Sequence, residues 1–207
     1  MGKQRISVPY LSYEQLHQVA AQFLEKYRPN GAIPIPIEDI VDLKFELDII
    51  PTPGLHKGFD IDAFITSDFR SIFVDEFVYD SRPGRYRFSL AHELAHLLLH
   101  QEIFSRLRFS TIAEWKKVIT EFPEKEYGFL EWQAYALAGL ILVPPDPLVE
   151  RFEKAVSHLY RVGLSLETAT DAARSMIEGA LAEDFAVSAA VIAKRVGYDN
   201  LWQRKQA

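Results

Sequence analysis

Two histidines and a glutamate set into an otherwise apolar helix constrain this chain more than any other feature. Residues 92–96 read His-Glu-Leu-Ala-His. Their neighbours Leu90, Ala91, Leu94, Ala95, Leu97, Leu98 and Leu99 predict a core helix, with Ser89 as its N-cap. Burying three such polar groups is costly unless something satisfies them. Positions four apart share one helical face, so His92 and His96 aim two imidazoles at one point. Glu93 stands beside the first of them, placed to reach a water on a bound metal rather than the metal itself. Two imidazole ligands with an adjacent carboxylate base form the pattern of zinc metalloproteases.

Two histidines leave such a site incomplete, because catalytic zinc usually takes a third protein ligand and keeps one position open. Glu131 is the candidate, at the start of a second apolar helix expected from about Phe129 to Val143. Ala134, Ala138 and Gly139 would let that helix approach the first closely. A glutamate at a helix start also suits the helix dipole without any metal, so the two readings of Glu131 stand side by side. The chain has no cysteine, which leaves histidines and carboxylates as the only donors for zinc, and the same set also accepts manganese or iron.

With 207 residues, 48% hydrophobic and 13% aromatic, the chain is long enough for one well-packed core. The net charge of −6 disfavours a general nucleic-acid binder. Met1 to Tyr10 holds no apolar run of signal-peptide kind, and Ala134 to Val143 is too short to span a membrane. The expectation is a soluble cytoplasmic protein without membrane partners.

A first helix is expected from Tyr13 to Tyr27, with Ser12 and Gln15 as a capping pair, then a short helix over Ile37 to Leu43. An extended run over Lys44 to Ile50 and a loop over Pro51 to Gly58 follow. Phe59 to Ile65 and Ser71 to Tyr79 predict two strands joined by the turn at residues 66–70, a small antiparallel sheet ahead of the metal helix. Ser81 to Gly84 reads as a turn. A helix is expected around Thr111 to Glu121, and Pro144, Pro145 and Pro147 close the second apolar helix. Three or four amphipathic helices fill the remainder. Strands first and helices afterwards predict an α+β fold. We divide it into a core over residues 1–147 and a helical C-terminal extension over 148–207 packed on it.

Residues 85–100, Arg-Tyr-Arg-Phe-Ser-Leu-Ala-His-Glu-Leu-Ala-His-Leu-Leu-Leu-His, resemble the signature of the ImmA/IrrE family of metallopeptidases. The block from Glu131 to Pro144 resembles the family's second motif: a glutamate, an Ala-rich helix and a hydrophobic-Pro ending. Ile33 to Glu38 and Phe185 to Ser188 also fit, so the likeness runs from about residue 13 to 200. It implies a zincin-like domain whose relatives cleave helix-turn-helix repressors. Two positions depart from the pattern: Tyr135 stands where Asn or Asp is usual, and Val143 where Met often occurs. A lost polar partner behind a metal ligand can cost ten- to a hundredfold in affinity or activity.

The mechanism these residues imply is hydrolysis of a peptide bond in a specific protein, with zinc on His92, His96 and Glu131, and Glu93 as proton carrier. The donor for the tetrahedral oxyanion is not identifiable from sequence; Tyr127, Tyr135, His158 and Tyr160 are all possible on chemistry, and each alone is better explained as structural. His100 lies on the ligand face two turns from His92, suited to capping the helix end or to hydrogen-bonding behind the ligands. Arg85 and Arg87 suit an acidic substrate segment on chemistry, but a solvated turn is the expectation. Ser71 to Tyr79 offers either an edge for an extended substrate or a half-buried strand of the sheet, and residues 101–128 either a rim or lid or a surface insertion that only connects helices. Two other classes compete. One is a binding module that regulates a repressor by contact alone, which Tyr135 favours. The other is a DNA-binding regulator using helices within residues 185–202 and the basic residues Lys194, Arg195, Arg204 and Lys205.

Overall fold

The computed structural model describes residues 6–161, 163, 165 and 168–203. The first helix, α1 (Tyr13–Tyr27), begins at the predicted capping box: Ser12 Oγ accepts from the Gln15 amide and Gln15 Oε1 accepts from the Ser12 amide. Leu16, Ala20 and Phe23 turn inward. Helix α2 (Ile37–Phe45) follows, then β1 (Asp48–Thr52), the single-turn helix α3 (Leu55–Phe59), β2 (Ala63–Ile65) and β3 (Ser71–Asp75).

The sheet is three-stranded and mixed, in the order β1-β3-β2. The antiparallel β2–β3 pair is the expected hairpin, with Ile65 opposite Ile72. Thr66 organises its turn by accepting from the amides of Arg70 and Ser71. The correction concerns β1, which pairs with β3 in parallel. Pro51 and Thr52, expected in a loop, lie in that strand, and residues 55–59 coil into α3. The second predicted strand also stops early. Asp75, buried in the structure, accepts through Oδ1 from the amides of Phe77 and Val78 and so starts helix α4 (Glu76–Ser81) where a strand to Tyr79 was expected.

The helix that carries His92, Glu93 and His96, α5 (Pro83–Leu107), is longer than the sequence suggested. Pro83 occupies its first position, where a missing N–H costs nothing, so the segment that reads as a turn is already helix. Ser89 is therefore no cap; it is buried inside the helix. The first turn lies close to the chain near the C-terminus: a Cβ on Gly84 would come within 3.3 Å of the Val187 carbonyl carbon. At His100 the backbone leaves helical geometry (φ −121°, ψ 16°), and α5 kinks there before continuing.

Helices α6 (Ile112–Glu121), α7 (Glu124–Leu142), α8 (Pro145–Arg161), α9 (Asp171–Phe185) and α10 (Ala189–Tyr198) complete the chain. The closest-packed pair is α5 with α7, and α1 lies along the other side of α7. Leu90, Leu94, Leu137 and Ile141 are fully buried in this layer. The sheet covers α5 through β2 and β3. Two segments far apart in sequence meet at Arg87, whose guanidinium donates to the carbonyls of Ile35 and Ala186. Tyr86 beside it donates to Glu38. Arg87 is thus a structural clamp and not part of a solvated turn. The described residues contain no helix long and apolar enough to cross a membrane.

Candidate metal centre

The α5–α7 contact sets three donors against one another. His92 and His96 project from successive turns of α5, and Glu131 faces them from α7. His92 Nε2 lies 3.1 Å from His96 Nε2 and 3.2 Å from Glu131 Oε2, and His96 Nε2 lies 3.6 Å from Glu131 Oε1. Tetrahedral zinc with bonds near 2.0–2.1 Å separates its ligands by roughly 3.3 Å. The three distances bracket that value, the two to Glu131 ending on different carboxylate oxygens, so these side chains could hold one metal ion.

Glu131 does not begin its helix. Pro123 and Glu124 start α7 two turns earlier, with Glu124 and Glu126 as the acidic first turn, so Glu131 sits within the helix. The dipole explanation of its place therefore lapses, since that effect fades within a helix's first turn. The charged residues before Phe129 hide this start in the sequence.

Glu93 is 6% exposed and stands outside the donor triangle. Its Oε2 accepts from the Ile65 amide of β2 at 2.9 Å, which ties the sheet edge to the helix at this side chain. Burial pushes its pKa up to about 7; the Glu131 charge adds to the rise, while His92 and the Ile65 amide oppose it. For His92, burial works against protonation, but the hydrogen bond and charge of Glu131 outweigh it and hold the pKa above its ordinary value. His96 is driven well below the ordinary range, mainly by burial. Burial likewise takes His100 down to about 4, against its bond to Gln133. At neutral pH His96 and His100 are uncharged.

Behind His96 runs a chain of hydrogen bonds. His96 Nδ1 meets His100 Nδ1 at 3.0 Å, His100 Nε2 meets Gln133 Oε1 at 3.1 Å, and Gln133 Nε2 donates to the Pro9 carbonyl at 2.8 Å. The expectation of a contact behind the ligands holds for His100; the helix-capping alternative does not, because α5 continues past it. Gln133 went unnoticed in the sequence. Its signal was a lone amide among alanines and leucines, and a side chain 1% exposed must find partners. His92 is held differently, between Glu131 and the rings of Phe88 and Tyr135. Tyr135 packs its ring 4.6 Å from Phe88 and edge-on to His92 at 6.5 Å, with Lys194 Nζ 3.9 Å over its face. Among the described residues its hydroxyl makes no hydrogen bond to His92.

The triangle opens into a cleft of about 420 Å³. One wall is polar: β2 with Asp62, and Arg85 paired to it. The other is apolar, built from Phe104, Leu107, Trp115, Ile119 and Phe122 on and around α6. Residues 101–128 therefore wall the cleft. The strand expected to offer an edge, β3, is central in the sheet; the edge facing the cleft belongs to β2. Of the sequence candidates for an oxyanion donor, Tyr127 and Tyr135 line the cleft, whereas His158 lies in a separate groove between α8 and α9. Tyr127 sits one turn before Glu131. Burial, with the charges of Glu131 and Glu93, keeps its hydroxyl protonated.

Of the two described residues of the basic C-terminal cluster, Arg195 is committed to the interior and Lys194 is exposed. Arg195 is 2% exposed, bonded to Asp199, Tyr13 and the Val143 carbonyl, and it passes over Gly139 where a Cβ would lie 3.2 Å from it. Lys194 covers Tyr135. Arg204 and Lys205 lie outside the described residues.

Residues 45–196 match the family model described as the IrrE N-terminal-like domain, a peptidase family. No curated protein matches the chain. A Mycobacterium tuberculosis transcriptional regulator of known structure has a similar fold, with a TM-score of 0.52 and 14% identity, over 90% of this chain and 47% of that one. This chain thus spans about half the length of that protein.

Proposed function

The chain belongs to the IrrE N-terminal-like, or ImmA/IrrE, family of metallopeptidases, and from that premise we propose that it is a zinc-dependent endopeptidase acting on one protein substrate, a helix-turn-helix repressor. The observation that carries the reading is the spacing of the three donors, which suits one tetrahedral ion and leaves the cleft side open. His92, His96 and Glu131 would hold the metal. When bound there, zinc supplies Lewis-acid polarisation of a carbonyl and lowers the pKa of water.

The remaining work falls to this chain's own groups. Glu93, with a pKa of about 7, is poised to take a proton at its carboxylate near neutral pH and to return it to the leaving amine. Its bond to the Ile65 amide keeps one oxygen occupied and leaves the other for that transfer. Tyr127, a protonated hydroxyl lining the cleft, would donate to a developing oxyanion. An extended substrate segment would lie along the outer edge of β2 near Ala63, since the Ile65 amide is taken by Glu93, and would set an apolar side chain against Trp115 and Ile119.

Elemental analysis of wild type and Glu131→Ala tests the metal step: about one zinc per chain in wild type and a large loss in the variant is the expected result. Incubation with repressors encoded nearby tests the substrate. A loaded protein that binds such a repressor without cutting it would favour regulation by contact instead.

A further inference from the structure

The bonds behind His96 form a line with only one consistent arrangement of protons. It starts at a backbone carbonyl. Pro9 O can only accept, so the Gln133 side chain must turn its NH2 toward it, at 2.8 Å. The Gln133 oxygen then faces His100 Nε2 at 3.1 Å and, being an acceptor, requires a proton on that nitrogen. A neutral His100 carries one proton, which leaves its Nδ1 bare. That bare nitrogen lies 3.0 Å from His96 Nδ1, so the proton between them belongs to His96. His96 Nε2 is left as a lone pair, directed at the Glu131 and His92 donors.

We infer that His100 and Gln133 are positioning residues: they relay the polarity of the Pro9 carbonyl, across two buried side chains, to fix the metal-binding tautomer of His96. The inference rests on the metal reading above for its purpose, but not for its geometry. A neutral imidazole in water divides between two tautomers, and only one of them presents Nε2 to an ion here. The relay selects that one before any ion arrives, and it orients the ring as well. All three residues are at most 3% exposed, so solvent scarcely competes for these bonds. The anchor comes from outside the two metal helices. Pro9 belongs to the segment before α1, which is also held to α7 by the Val8 amide donating to Glu126. This segment, which carries no motif, thereby becomes part of the metal centre.

Long-range nitrogen–proton NMR of the metal-free protein tests the relay directly, because the two imidazole nitrogens of each tautomer differ widely in shift. The expected result is His96 protonated on Nδ1 and His100 on Nε2. His100 protonated on Nδ1, or His96 divided between tautomers, overturns the inference without any variant being made. Zinc affinity, measured by competition with a chromophoric chelator, gives the second readout. His100→Gln can still accept from His96 and donate to Gln133, so it should bind zinc within a few-fold of wild type. His100→Leu and Gln133→Leu should lose ten- to a hundredfold. Equal affinity for His100→Leu and His100→Gln would mean that the position only fills space, and would overturn the relay. A wild type with the expected tautomers but no zinc uptake would instead sink the peptidase reading and leave the proton arrangement standing.

Discussion

The two sides of the cleft are built on opposite principles. On the α5–α7 side Glu93, His96, His100 and Gln133 are all buried, and each has a partner, while His92 and Glu131 are half-buried at the mouth of the cleft. On the α6 side no residue of the helix itself is buried. That helix has a capping box of its own, Thr111 with Glu114, and the segment before it is pinned to the β2–β3 turn through Phe109 and Ser67. Donor positions must hold to within tenths of an ångström for a metal to bind, and a close-packed helix pair provides that. A wall that receives a side chain only needs shape and apolar surface, and a partly attached amphipathic helix suffices.

Substitutions can break this contrast in order of size. Glu93→Gln should lower peptide hydrolysis by about a hundred- to ten-thousandfold while zinc content stays near one per chain; cleavage that survives would remove Glu93 from the reaction. Glu131→Ala deletes a donor outright, so its zinc affinity should fall by more than the ten- to hundredfold typical of losing a group behind a ligand. Leu137→Ala, in the fully buried α5–α7 layer, should cost about 2–5 kcal/mol in denaturant unfolding.

The metal-free protein allows a test with the opposite sign. Glu93 is raised from the usual 4.5 to about 7, so its ionisation opposes the fold: its favourable contribution is complete below pH 4.5 and is lost as the pH rises through 7. Glu93→Gln keeps an acceptor for the Ile65 amide and never ionises. It should therefore be more stable than wild type at pH 8 by roughly 3 kcal/mol, a gain that vanishes towards pH 4. Urea midpoints at several pH values check it, and a pH-independent difference would refute the burial of that charge. The smallest expected effect sharpens the contrast from the other side. Trp115→Ala should change stability by about 1 kcal/mol or less, since the ring is half-buried, while raising KM for substrates with a large apolar side chain at the cleft.

The sequence alone determined the chemistry's local parts. His92 and His96 had to share a face because helical spacing puts positions four apart together, and Glu93 had to neighbour the first. The α1 capping box, the β2–β3 hairpin and the apolar faces of α5 and α7 were legible for the same reason: each depends on residues within one or two turns. What failed to show in the sequence depends on contacts between distant segments. The parallel pairing of β1 with β3 follows from where α3 and β2 place the chain, not from any alternation in residues 48–52. Pro83 and Pro123 look like breaks in a linear reading, yet each marks the start of a helix. Above all, Gln133 is a stray amide and Pro9 a residue ahead of the first helix until α7 packs against both α1 and α5, and Glu131, the third donor the sequence offers, reads equally as a first-turn glutamate until that packing is known. Only that packing brings a carboxylate to 3.2 Å from His92 and a backbone carbonyl into line with His96, because donor distances and proton order are properties of the assembled interior and not of any stretch of chain.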